Sequence, residues 1–168
     1  FKSSLSPQTA ASSTKSAAPD AEEPVSPRVL ILACGNPLRS DDGVGWHAAQ
    51  LLRERPCSVE AEIISIHQLT PELAEAAAGA RGVIFLDAAQ NGLPGEVVCT
   101  PVSSYAAPER FSHAFTPSQV MALCEQLYGA RPSAFAVSIA GECVDHGEAL
   151  SAAVTAALPQ LVNTVEEL

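Results

Sequence analysis

Basic residues are scarce in this chain of 168 residues, which carries nine Lys and Arg against nineteen Asp and Glu and a formal net charge of −10. Nucleic acids are bound largely through clustered cations, so this balance argues against a nucleic-acid partner. The chain also lacks any apolar run near the roughly 20 residues that cross a bilayer, which argues against a membrane. We therefore expect a soluble, cytoplasmic protein.

Two common kinds of site motif are missing as well. The five Cys residues are odd in number and scattered, and no two of them form a C-x-x-C pair, which disfavours a disulfide framework or a zinc knuckle and favours a reducing compartment. The chain also has no glycine-rich loop that ends in Lys followed by Ser or Thr, so no nucleotide cofactor is expected.

The stretch that carries most information is V-L-I-L-A-C-G-N-P-L-R-S-D-D-G-V-G, residues 29–45. It begins with a continuous apolar run, which is typical of a strand covered on both faces of a parallel sheet. Turn-forming residues follow, and then come Asp41 and Asp42, either of which is a candidate N-cap for an amphipathic helix that runs to about residue 55. In open α/β sheets, ligands bind beyond the carboxyl ends of the strands, so this acidic loop lies where such folds do chemistry.

The rest of the chain predicts one domain. Residues 1–27 are rich in Ser, Ala and Pro and have no apolar periodicity, so we expect a disordered tail followed by a single domain over residues 28–168. Further strands are expected at 60–66, 82–86, 96–102 and 134–140, and further helices at 71–78, 117–128 and about 150–165.

This order of elements predicts the fold class. The pattern β-α-β-α-β-β-α-β-α indicates an α/β three-layer sandwich, in which a twisted, mostly parallel five-stranded sheet has helices on both faces. The fourth strand is a candidate antiparallel edge. Strand one usually lies between strands two and three in such folds, so Asp42 after strand one and Asp87 at the end of strand three should face each other across a crevice.

Two facing carboxylates restrict the chemistry of the crevice. Two negative charges a few ångströms apart are unstable together, so either one pKa rises strongly or a metal cation lies between them. The alternative without function is that Asp42 only caps a helix and Asp87 only ends a strand. The sequence therefore predicts either an acid/base pair or a metal site.

A histidine is the expected third ligand, because imidazole together with carboxylates suits Ni, Zn, Mn or Fe. His47 lies in the first helix, whereas His67, His113 and His146 lie in loops after strands two, four and five. The spacing of the four leaves the choice open. Cys34 is a weaker candidate nucleophile, since no neighbouring base is visible that would lower its pKa.

Several segments together resemble the hydrogenase maturation endopeptidases. They are G-N-P-L-R-S-D-D-G-V-G, H-Q-L-T-P-E-L-A-E from His67, V-I-F-L-D-A ending after Asp87, and the S-H-A-F loop that contains His113. The likeness extends from about Val29 to the last residue. It implies a protease that removes a short C-terminal extension from the large-subunit precursor of a nickel-iron hydrogenase after nickel has been inserted.

The resemblance also implies the site residues. Asp42 and Asp87 would be the catalytic carboxylates and, with His113, would bind nickel that the substrate supplies rather than a metal the protein keeps. The substrate-binding part of the first loop would consist of Gly35, Asn36, Asp41 and Gly43. The expected partner is the hydrogenase precursor, and the chain is expected to be a monomer because it shows no coiled-coil repeat.

Two other functions stay open at this point. A protein of the same fold could sense nickel or hold the precursor without cutting it. An unrelated acidic endopeptidase could use the aspartates alone, in which case cleavage would not depend on metal. Processing of a precursor with and without nickel separates all three.

Overall fold

The computed structural model describes residues 28–55, 60–104 and 115–168. Within them the chain forms an α/β fold with five strands, four α-helices and one short 3-10 turn at Ser40–Gly43. The predicted tail, residues 1–27, lies outside the described residues. The strands are β1 (Val29–Cys34), β2 (Ala61–Ile66), β3 (Gly82–Ala89), β4 (Val97–Pro101) and β5 (Ser133–Ala140), and the helices are α1 (Val44–Glu54), α2 (Leu73–Ala78), α3 (Pro117–Tyr128) and α4 (Ala152–Glu166).

The sheet has the predicted topology. Its strand order is β2-β1-β3-β5-β4, so β1 lies between β2 and β3. Strands β1, β2, β3 and β5 are parallel, and β4 pairs antiparallel with β5 at the edge. The loops that follow β1, β3 and β5 therefore meet at one edge of the sheet, the carboxyl edge.

Both faces of the sheet are covered, which explains the continuous apolar sequence of β1. Ile31 and Ala33 pack into a cluster with α1 and α4. Leu30 and Leu32 point the other way into a second cluster with α2 and α3. Because successive side chains of a strand alternate between faces, every residue of a strand buried on both sides has to be apolar. The predicted three-layer sandwich is confirmed.

The sequence misjudged how α1 begins. Neither Asp41 nor Asp42 is its N-cap, because both lie in the 3-10 turn that precedes the helix, and Gly43 occupies the cap position without a side-chain hydrogen bond. Both carboxylates are therefore available for contacts other than capping. Helix α3 begins as predicted, with Thr116 as N-cap in a reciprocal capping box with Gln119 and with Pro117 in the first turn.

Two further expectations were wrong. Strand β3 does not end at Asp87 but continues to Ala89, because β5 pairs with it as far as that residue. Strand β1 pairs with β3 only as far as Leu86, so Asp87 lies where its neighbour has already left the sheet. The spacing of apolar residues in 117–128 indicates that Leu127 faces inward, but it is 66% exposed in the last turn of α3.

Candidate active site

The loop after β1 is folded back tightly on the end of its own strand. Gly35 has a φ of +119°, and a Cβ atom there would lie 1.8 Å from the backbone oxygen of Asp42. Only glycine fits such a close approach of backbone to backbone. The backbone N–H of Asn36 then donates to Oδ2 of Asp42 at 3.1 Å. The G-N pair of the motif therefore fixes the position of the Asp42 carboxylate.

Asp42 and Asp87 line one cavity at the carboxyl edge of the sheet, as the sequence predicts. The cavity has a volume of about 510 Å³ and is built from the loops after β1, β3 and β5. Asp42 is half-buried, whereas the side chain of Asp87 is open to the cavity. The residues that line the cavity are Arg39, Asp42, Asp87, Ala88, Ala89, Gln90, Gly141, Glu142 and Val144.

The carboxyl of Asp87 has an altered pKa. Burial by the surrounding protein atoms raises this pKa, the backbone N–H of Ala88 lowers it by donating to Oδ1 at 2.8 Å, and the charge of Asp42 raises it again, with a net result of about 6. Burial is the largest of these three influences on the pKa and the charge of Asp42 the smallest, so the raised pKa of Asp87 arises mainly from its protein surroundings and only in part from the facing carboxylate. A carboxyl group with a pKa this close to neutrality can give and accept protons under ordinary conditions.

Asp41, the neighbour of Asp42, has an entirely different environment. Its side chain is 0% exposed. Its Oδ2 accepts hydrogen bonds from the backbone N–H groups of Glu142 at 2.8 Å and Cys143 at 2.9 Å, and its Oδ1 accepts one from Ser151 at 2.7 Å. Burial alone would raise the pKa of Asp41, but these hydrogen bonds outweigh it and hold the pKa below its usual value.

The contacts of Asp41 join the loop after β1 to the loop after β5. Backbone hydrogen bonds reinforce this connection, since the N–H of Ser40 donates to the oxygen of Gly147 at 2.6 Å and the N–H of Asp41 donates to Cys143 at 3.0 Å. Glu142 and Val144, which form one wall of the cavity, are thereby held against the turn that carries Asp42. The burial of Asp41 gives no support to its predicted direct contact with substrate. Its carboxylate instead stabilises the wall of the cavity.

The candidate histidines differ in where they lie and in whether the structure describes them. His113 lies outside the described residues, so its role as third ligand stays a prediction. His67 follows β2 at the carboxyl edge, but it packs against Trp46 with ring centroids 5.5 Å apart, and neither it nor the exposed His146 is among the residues that line the cavity. Within residues 28–55, 60–104 and 115–168, no three His, Cys, Asp or Glu side chains form a group that could hold a metal ion.

Cys34 lies at the end of β1 with its thiol turned into the core. The residue is 4% exposed, and burial, together with the charge of Asp87, raises the pKa of its thiol to about 12. The reactive form of cysteine is the thiolate. This environment therefore argues against Cys34 as a nucleophile, in agreement with the low weight it received from the sequence.

We expect iodoacetamide at pH 8 to leave Cys34 unmodified in the folded protein and to label exposed Cys99, because a buried thiol with a pKa near 12 carries almost no thiolate. Peptide mass mapping before and after unfolding in denaturant measures this. Cys34→Ala should retain the activity of the protein. Labelling of Cys34 at the rate of Cys99 in the native state would contradict the burial on which this expectation depends.

Sequence reasoning missed several residues of the cavity wall. Glu142 was noticed only as a loop residue, and Arg39 and Val144 were not singled out. A signal for Arg39 was present, because it lies in the same short loop as Asp42. No comparable signal existed for Glu142 and Val144, whose position depends on how the loop after β5 folds against the loop after β1.

The fold corresponds to that of known structures. The chain is similar to the hydrogenase maturating endopeptidase HybD from E. coli, with 20% identity over 82% of this chain and 89% of that one and a TM-score of 0.67. It is also similar to the [NiFe] hydrogenase maturation protease HybD from Thermococcus kodakarensis, with 28% identity, coverage of 83% and 97%, and a TM-score of 0.66. The HycI protease of the same organism matches with 19% identity, coverage of 83% and 90%, and a TM-score of 0.67.

No family model and no curated protein sequence matches the chain. The solved structures nevertheless confirm the resemblance seen in the motifs, because several of them are hydrogenase maturation endopeptidases, which are hydrolases. The fold is therefore that of the proteins whose motifs this sequence resembles. Within the described residues, no helix is both long and apolar enough to cross a membrane.

Proposed function

We propose that this chain is an endopeptidase that removes the C-terminal extension of a nickel-iron hydrogenase large-subunit precursor after nickel insertion. The observation that carries the proposal is the cavity of about 510 Å³ in which Asp42 and Asp87 come together. Support for the class of substrate comes from the names of the similar structures, which are hydrogenase maturation proteases.

The carboxylates of Asp42 and Asp87 in the cavity support the binding of a metal that would arrive with the substrate. Two carboxylates suit a divalent cation but bind it weakly unless further ligands are added. We propose that His113 and the precursor itself complete the coordination, so that only a nickel-loaded precursor is gripped.

The two aspartates would have different tasks. Asp87, with a pKa of about 6, is mostly ionised at neutral pH and suits a general base that takes a proton from the attacking water. Asp42 is held in one orientation by the N–H of Asn36 and would bind the nickel that the precursor carries. Nickel that is bound with the precursor would supply Lewis-acid polarisation.

Incubation with a cognate hydrogenase precursor tests the proposal directly. The intact mass of the precursor is measured with and without nickel, and we expect loss of a C-terminal peptide only when the precursor carries nickel. Cleavage that is insensitive to chelators and to nickel would favour an acidic endopeptidase that uses the aspartates alone. Stable binding without any change of mass would favour a module that senses nickel or holds the precursor.

A further inference from the structure

Among the described residues that line the cavity, Arg39 is the only cation, and it accompanies the carboxylates Asp42, Asp87 and Glu142. Its backbone is fixed close to Asp42. The N–H of Arg39 donates to the oxygen of Asn36 at 3.0 Å, and its carbonyl accepts from the N–H of Asp42 at 3.1 Å. Arg39 also forms an isolated parallel bridge with Gly147. The guanidinium therefore extends from a rigid part of the loop.

The side chain of Arg39 has no acceptor in the described part of the chain. Of the six arginines there, four bind a carboxylate, hydroxyl, amide or backbone oxygen of the protein; only Arg39 and Arg81 have no such bond. Arg39 is exposed to the cavity, and Arg81 lies at the opposite edge of the sheet, where it lines a different cleft. The four paired residues are Arg28, Arg53, Arg55 and Arg131.

A guanidinium offers five N–H donors and no acceptor, and its planar fork matches a carboxylate. Asp42 accepts the N–H of Asn36 and Asp87 accepts the N–H of Ala88, and neither carboxylate forms an ion pair with Arg39. In a protein with a net charge of −10, the unpaired guanidinium of Arg39 is the group among the described residues of the cavity lining that attracts an anion.

We propose that Arg39 binds a carboxylate of the precursor and thereby holds the precursor in the cavity that contains Asp42 and Asp87. The inference rests on the proposed function and adds a specificity requirement: the precursor segment that enters the cavity carries a carboxylate. Two sources supply this chemistry, an acidic side chain of the C-terminal extension or the α-carboxylate at its end. Arg39 selects substrate in this scheme and takes no part in the bond cleavage.

Nickel-loaded precursor is the probe, and both its affinity and its cleavage kinetics are measured. We expect Arg39→Gln to raise Kd and KM about tenfold, as for the loss of one exposed charge-assisted pair, and to leave kcat within about twofold. Arg39→Lys, which keeps the charge but not the fork, should give an intermediate value. Arg81→Gln is the matched control, because it removes the other unpaired guanidinium from outside the cavity, and should behave as wild type.

Precursor variants identify the carboxylate. One arm replaces each Asp and Glu of the extension by its amide, and a second arm carries a C-terminal amide in place of the α-carboxylate. Replacing the carboxylate that Arg39 binds should raise the Kd of wild type about tenfold. It should also abolish the difference in Kd between wild type and Arg39→Gln, which is the signature of a direct pair. A difference that persists with every precursor variant would overturn the inference.

The failure of this inference is distinguishable from the failure of the proposed function. If wild type cleaves the precursor and Arg39→Gln does so with the same KM and Kd, only the role of Arg39 is wrong. If wild type binds the precursor without cleaving it, the proposed protease function is refuted. The ratio of the Kd of Arg39→Gln to that of wild type still tests the role of Arg39. If wild type neither binds nor cleaves a cognate precursor, both are refuted.

Discussion

Asp42→Asn and Asp87→Asn are each expected to abolish processing of the precursor, with a loss on the order of a thousandfold or more. Each change keeps the size and shape of the side chain but removes a carboxylate from the cavity, and an amide neither accepts a proton from water nor holds a cation as a carboxylate does. The measurement is the rate at which nickel-loaded precursor loses its C-terminal peptide. Wild-type processing by either variant would refute the assigned roles.

Thermal unfolding of the metal-free proteins separates this loss from misfolding. The folded-state pKa of Asp87 is raised to about 6, so the favourable contribution of this group is complete below its unfolded pKa and is lost as the pH rises through 6. At pH 7.5 the charge of Asp87 therefore weakens the fold. Asp87→Asn should be more stable than wild type there by about 1 kcal/mol, a small value because solvent in the cavity screens the charge.

Asp41→Asn is expected to lower the free energy of unfolding by about 3 kcal/mol or more. The carboxylate accepts three backbone N–H groups with both of its oxygens and is 0% exposed. An amide has one acceptor oxygen, so at least one buried N–H would face an NH₂ group and stay unsatisfied. Urea denaturation at pH 7 measures the change.

Asp42→Asn is the matched control, because it makes the same substitution one residue further along the same turn. Asp42 is half-buried and accepts one backbone N–H, which an amide oxygen can also accept, so we expect a change of less than about 1 kcal/mol. The effect of Asp41→Asn should shrink in acid, since the lowered pKa of Asp41 makes its stabilisation present above the unfolded pKa and lost as the pH falls. Equal destabilisation by the two variants would contradict the role of Asp41 in stabilising the cavity wall.

Much of the fold could be predicted because local signals and burial agree. The strand predicted from the apolar run of β1 and the helix predicted over 117–128 both appear as expected. The errors arose where contacts between elements far apart in the sequence determine the extent of a strand or the burial of a side chain. Strand β3 runs past Asp87 because β5 accompanies it, and Leu127 is exposed because the last turn of α3 extends beyond its apolar neighbours.

The candidate site was predictable to a different degree at each residue. Topology alone brought Asp42 and Asp87 together, since Asp42 follows β1, Asp87 lies near the carboxyl end of β3, and these parallel strands are neighbours in the sheet. The distinction between Asp41 and Asp42 came from the resemblance, because two adjacent carboxylates look identical in a sequence. Their environments differ through contacts with residues 142–151, about a hundred positions away. No local pattern encodes such contacts.

The bond between Asp41 and Ser151 joins positions 110 residues apart, which has a consequence for the order of events during synthesis. The Asp41 carboxylate loses its water only when residues 142–151 arrive to replace it, and until then a charged group without partners opposes closure of the loop. A nascent chain that has left the ribosome only through β5 therefore lacks the finished cavity. The cavity is therefore complete only after the residues up to Ser151 have left the ribosome.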